Sequence, residues 1–335
     1  MPIDKTPICH LNEMDRNLFW DHALKSLAQK NFIQELRNKR RKGRNDYPVD
    51  LLWKYVLKTI AYKLPSFASL YRSTSDPLPP PWVFSRFIGS VLPLSHMLDT
   101  MLLAVSEVGP IIGLGFFLEQ EERIHFLFDA ITGLPFLWDS GPSKEPCLNQ
   151  VERILKKNPH THCQYFLASI EYAFLSGVIW DQFHLKPIIP SPLSIDEKRS
   201  YQGIDYDAKG RLSCPNTHMI YVGFEESRNA LKFRCAANHY GYRCDIYDAC
   251  PLRKGLRVPL KADNEVFTPL PRFSYRWEKL YSFYLKLPEI KQILTSSIPA
   301  VCKKSLFLQL ASLLFSAAYR TQKRSNRAPS LPKKV

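Results

Sequence analysis

The sequence lacks an apolar run long enough to cross a bilayer. Its longest candidate, residues 97–118 (MLDTMLLAVSEVGPIIGLGFFL), is broken by Asp99 and Glu107. The uncharged piece after Glu107 is far short of the roughly 20 residues that a helical span requires, so the stretch is expected to be buried core. The first residues, MPIDKTPICHLNEMDRNLFW, have no basic segment followed by an apolar one, so no secretion signal and a cytoplasmic location are expected. Without export, the eight cysteines are not expected to form a disulfide framework, and clustered ones are weighed as metal ligands. No Cys-x-x-Cys pair and no internal repeat is present.

Acids are also in short supply. Lys and Arg number 46 against 31 Asp and Glu, a net charge of +15 with a pI near 9.4. That balance favours a polyanionic partner, nucleic acid ahead of an anionic membrane surface, over an acidic small molecule. The 45% hydrophobic and 13% aromatic content excludes disorder as a global description, and 335 residues suffice for two or three domains.

Residues 14–105 read as helical, with Leu27, Phe32, Ile33 and Leu36 among the apolar positions at helical period. Between the first two helices runs RNKRRKGRNDYP, with Arg37, Lys39, Arg40, Arg41, Lys42 and Arg44 as candidate phosphate contacts. The helix starting near Trp82 is expected to bury Trp82 and Phe84 and to expose Arg86 as a candidate base reader. From residue 110 the pattern turns to strands: PIIGLGFF, then RIHFLFD and LPFLWDSG around the turn AITG. A helix NQVERILKK, a strand QYFLA, a helix SGVIWDQFHL and a last strand KPIIP follow. This alternation implies an α/β fold with a mixed sheet. Residues 196–263 read as a polar insertion with little core of its own, 264–322 as helices returning to the sheet, and 323–335 as a basic, disordered tail.

Taken in order, several segments resemble bacterial insertion-sequence transposases of the DDE type. YPVDLLWKYVLKTIAY, SFASLYR and PWVFSRFI look like the helical domain those proteins carry ahead of the catalytic core. HFLFDAITGLPFLWDSGP, YFLASIEYAF and LKPIIP look like core strands. CPNTHMIYVGFEESRNALKFRC looks like a cysteine-bearing insertion found in part of that family, and FTPLPRFSYRWEKLY like the approach to the final catalytic helix. The resemblance implies a ribonuclease-H-like mixed-sheet core at 106–195, an all-helical N-terminal DNA-binding domain at 1–105 and the cysteine-bearing insertion at 196–263. It further implies double-stranded DNA at element ends as partner, a homodimer on that DNA, a nucleoid-associated location, and Mg²⁺ or Mn²⁺ as cofactor.

Family members of this type use three acids to hold two divalent cations, which activate one oxygen and stabilise another. Here the position of the second aspartate holds Ser169, with Glu171 two residues beyond. PIIGLGFF carries no acid, and the third acid falls near Pro288 and Glu289. The candidate acids are therefore Asp129, Glu171 and Glu289, read either as a rearranged metal site or as a turn acid, a surface acid and a helix-start acid. Three functions follow: a DNA-binding protein that does not cut, an active transposase with shifted acids, and a zinc-containing regulatory DNA-binding protein. Zinc would be held by Cys214, Cys235, Cys244 and Cys250, with His218 as an alternative ligand, since thiolate sulfur suits Zn²⁺.

Overall fold

Pro48 precedes an amphipathic segment that buries Val49, Leu52, Trp53, Tyr55, Val56 and Ile60 along one side, and this segment is helical in the computed structural model. The structure describes residues 30–40, 47–73, 78–92, 95–296 and 304–327, together with residues 23 and 27. Among the elements described, helix α1 (Lys30–Arg40) is followed by α2 (Val49–Ala61), α3 (Leu70–Ser73) and α4 (Pro81–Arg86). A π turn, Phe87–Val91, continues α4, and α5 is Ser95–Val105.

The strands begin after α5, with β1 (Ile111–Glu119), β2 (Glu122–Asp129) and β3 (Pro135–Pro142). Only Gln120 and Glu121 join β1 to β2, a connection so short that the pair must be antiparallel. Gln120 sits at φ 49°, the left-handed conformation that tight hairpin turns use. β2 and β3 pair antiparallel, with His125 opposite Asp139. Helix α6 (Cys147–Lys156) then leads to β4 (Tyr165–Leu167), a 3-10 turn at Ile170–Leu175, α7 (Ser176–Phe183) and β5 (Lys186–Ile188). β4 pairs parallel to both β1 and β5. The result is a mixed α/β arrangement with a five-stranded sheet in the order β3-β2-β1-β4-β5.

Two small sheets follow. β6 (Arg199–Tyr201) pairs with β7 (Ile204–Tyr206). β8 (Ile220–Glu225) and β10 (Leu256–Pro259) flank β9 (Ala230–Arg234), which is followed by the short α8 (Ala236–Tyr240). The expectation of little core in this insertion is corrected: Tyr206, Leu212, Met219, Leu231, Phe233, Val258 and Leu260 are buried in one cluster with Trp180 and Phe267. The polar composition is carried by the outer faces of short strands, so an average over the segment hides its alternating apolar positions. Helices α9 (Tyr275–Tyr284), α10 (Leu287–Ser296) and α11 (Lys304–Arg327) complete the chain. α11 runs five residues, 323–327, into the stretch expected to be a disordered tail, so the tail reading is corrected up to Arg327.

The chain divides into two compact units. One comprises residues 1–109, 115–159 and 286–335, the other 110–114 and 160–285. In the first, α11 packs against α2, α5 and β3, and Phe117, Phe126 and Trp138 stack in its core. In the second, α7 packs on β5 and α9 on β4 and β5. Among the described residues no helix is long and apolar enough to cross a membrane.

Candidate functional site

The strand β4 ends at Leu167, and two residues later Ser169 serves as the N-cap of the 3-10 turn. Its hydroxyl oxygen is buried beside the Tyr284 phenol. Helix α9 brings Tyr284 alongside. Ser274 caps that helix by accepting from the Trp277 amide, and the apolar spacing of Trp277, Leu280 and Tyr284 turns these side chains inward. The Tyr284 hydroxyl donates to the Leu114 carbonyl of β1 at 3.0 Å. Burial pushes the Tyr284 phenol up, Ser169 opposes that shift, and Tyr281 and Glu171 reinforce it. Tyr281 is raised by burial and by the Glu171 carboxylate. Both phenols are therefore neutral at ordinary pH. Glu171 is exposed in the first turn of the 3-10 segment.

The strand tip thus presents buried hydroxyls and one exposed carboxylate. Two divalent cations need several anionic oxygens between them. This donor set does not fit them.

Asp129 is occupied elsewhere. It ends β2 at 2% exposure, and its carboxylate accepts the Gly109 amide at 2.6 Å, the Thr132 amide at 2.7 Å and the Thr132 hydroxyl at 2.8 Å. The Thr132 bonds hold the turn between β2 and β3, whose backbone is closed by Gly133 N–H to Asp129 C=O at 2.8 Å, and the Gly109 bond ties the residues before β1 to it. Glu289 is exposed in the first turn of α10, just after Pro288, where a negative charge complements the helix dipole. Asp129 and Glu289 belong to one compact unit and Glu171 to the other. Among the described residues no group of three or more His, Cys, Asp or Glu side chains stands in the arrangement of a bound metal ion.

On β1, where no acid occurs, a Cβ at Gly115 would lie 2.3 Å from a Phe126 ring carbon and 2.9 Å from Leu287. Core side chains fill the space that a larger residue would need.

Of the basic run, Arg37, Lys39 and Arg40 fall in the last turn of α1, while Arg41, Lys42 and Arg44 lie outside the described residues. Arg37 is exposed and 3.6 Å from the equally exposed Asp50. Lys39 is exposed as well. Arg40 is half-buried, and its guanidinium donates to the Tyr47 carbonyl, tying the two ends of residues 40–47 together. Trp82 departs from expectation, because it is 65% exposed while Phe84 is fully buried. Six residues give α4 one inward stripe, which Val83 and Phe84 occupy together with Phe87 of the π turn, and this leaves Trp82 and Arg86 on the outer face.

The cysteines Cys214, Cys235, Cys244 and Cys250 all line one small cavity, whereas His218 is exposed and does not line it. Sequence reasoning had no means of finding Tyr284 at the strand tip. The helical stripe of α9 was legible, but a bond from its last turn to a carbonyl 170 positions earlier was not.

Comparison with protein-family models, with curated proteins and with solved structures finds no match to this chain.

Proposed function

We propose that the protein binds duplex DNA, is built on the ribonuclease-H-like plan of DDE transposases, and does not cleave the DNA it holds. The observation that carries this reading is the sheet order β3-β2-β1-β4-β5, with an antiparallel β2 beside parallel β1, β4 and β5. That is the order in which ribonuclease-H-like cores arrange their strands, reached here from segments that resemble the transposase core in the same sequence. The absence of cleavage is supported by the chemistry of the tip. Ser169 and Tyr284 are neutral, Asp129 is saturated by turn donors, and Glu171 stands exposed. A lost carboxylate ligand costs several kcal/mol of transition-state stabilisation, at least ~10³ in rate.

DNA binding is supported by the charge of +15 and by exposed Arg37, Lys39 and Arg86, the last with Trp82 one turn before it. Two copies on paired element ends is the assembly that accompanies this reading.

The test uses the full chain. Binding to duplex DNA is measured across a salt series, and nicking of the same DNA is followed with Mg²⁺ or Mn²⁺. We expect affinity that falls linearly in log–log form with salt, and no nicking by either the unmodified protein or Ser169→Asp. Salt-independent or undetectable binding would sink the DNA reading. Metal-dependent nicking lost in Glu171→Gln would show that the acids act from shifted positions.

A further inference from the structure

Cys214, Cys235, Cys244 and Cys250, brought from separate turns of the insertion, line one small cavity. Cys214 follows the β-bridge partner Leu212, Cys235 directly follows β9, and Cys244 and Cys250 lie beyond α8. Each opens or closes a tight backbone turn. The Cys214 and Thr217 backbones exchange hydrogen bonds at 2.6 and 3.2 Å, the Cys235 carbonyl accepts His239 N–H at 3.0 Å, and the Cys244 carbonyl accepts Tyr247 N–H at 3.1 Å. Cys250 N–H donates to the Tyr247 carbonyl at 3.2 Å. All four are free thiols, half-buried, and line a cavity of about 20 Å³ with Met219 and Leu252. That volume suits a single small guest. The Asn216 amide donates to Cys244 Sγ at 3.4 Å, an N–H···S contact of the kind that supports a thiolate.

A second observation is independent of the sulfurs. Residues 238–251 contain no buried side chain, and beyond Tyr240 they form no strand or α-helix. Only Cys244, Tyr247 and Cys250 are even half-buried there. Fixing the backbone costs about 1–2 kcal/mol per residue, and this excursion offsets that cost with only partial apolar burial, chiefly at Ile246 and Tyr247. Hydrogen bonds from Asn238 to the Arg253 carbonyl at 2.7 Å and from Tyr247 to Asn238 at 2.6 Å give it a few polar ties, and Cys244 and Cys250 point it to the cavity.

We infer that Cys214, Cys235, Cys244 and Cys250 bind one structural Zn²⁺ ion, which fastens residues 238–251 to the β8-β9-β10 sheet. Four sulfurs close a tetrahedron at about 2.3 Å from the metal and leave no open position, so the ion serves folding and not chemistry. Binding converts four thiols to thiolates and releases four protons to solvent, with no change of oxidation state. The four cysteines line the cavity without yet standing as a ligand set, so binding has to draw their side chains inward onto the ion. His218 takes no part. The inference does not depend on DNA binding.

The test is metal analysis of the purified full-length protein after dialysis against metal-free buffer. The expected result is about one equivalent of zinc, retained in His218→Ala and lost in Cys235→Ser and in Cys250→Ser. Should a cysteine variant fail to fold, the unmodified protein still decides. Cobalt exchanged for zinc must give the intense visible bands of tetrahedral thiolate ligation, and chelation must open residues 238–251 to protease. Less than half an equivalent of zinc, together with four thiols that react freely with a thiol reagent in the native protein, overturns the inference. So does a cobalt spectrum of octahedral oxygen ligation.

Discussion

Asp129 shows how a single carboxylate can be engaged by its own turn and by the Gly109 amide before β1. Removing it in Asp129→Ala leaves two amides and one hydroxyl without their acceptor in a buried setting. We expect a loss of about 2–4 kcal/mol in urea unfolding. A change within experimental error would mean that the turn does not need the charge. His125 offers a pH test. It is fully buried on β2, and burial, followed by the nearby Arg123 guanidinium, lowers its pKa to about 4, against the pull of Asp139. Between pH 4 and 6.5 the unfolded chain binds this proton more readily than the folded one. Stability from this residue is therefore present above pH 6.5 and is lost on acidification toward pH 4. Its share of the difference between pH 7 and pH 5 is about 2 kcal/mol. His125→Phe should flatten the slope of urea midpoint against pH over that window, and an unchanged slope would exclude His125 as its source.

At the level of elements, β5 and the loop before α9 are joined by one buried cation. Arg272, 2% exposed, donates through Nε to the Ile189 carbonyl at 2.7 Å and through Nη1 to the Val266 carbonyl. Burial lowers its pKa to about 9, which still leaves it charged at pH 7. Arg272→Ala strands both carbonyls and opens a cavity, with an expected cost of about 2–4 kcal/mol. Hydrogen exchange should quicken first at residues 186–189 and 263–268, and a uniform loss of protection across the sheet would contradict this local role. Helix α6 is fastened differently: Asp139 on β3 accepts from Arg153 and from Lys157, each at 2.7 Å, and Arg153 also reaches Glu145 at 2.7 Å.

For the molecule as a whole, the proposed DNA binding at a charge of +15 is tested by salt. Each of Arg37→Ala, Lys39→Ala and Arg86→Ala should lower the log–log salt slope of DNA affinity by about 0.9 if its side chain meets a phosphate. Arg40→Ala should behave otherwise, because its guanidinium is tied to the Tyr47 carbonyl. It should lower the melting temperature as well as affinity. A slope unchanged by all four substitutions would move the contact surface away from α1 and α4.

The strands of the five-stranded sheet and the residue types at its tip are legible from local signals along the chain. Short apolar runs bounded by turn residues marked β1 to β5, and helical spacing marked α2, α6 and α9, because those signals are local. The sequence also made Ser169 visible where the resemblance expects an acid. Trp82 went astray because a helix as short as α4 has too few positions to reveal which face is inner. Only the tertiary structure decided that Asp129 is saturated by Gly109 and Thr132, that Tyr284 reaches Leu114, and that four cysteines separated by 20, 8 and 5 residues line one cavity while His218 does not. Spacing along a chain fixes which side chains share a strand or helix face. Which loops converge depends on how the sheets twist and pack, and that is set by the burial of the whole core at once.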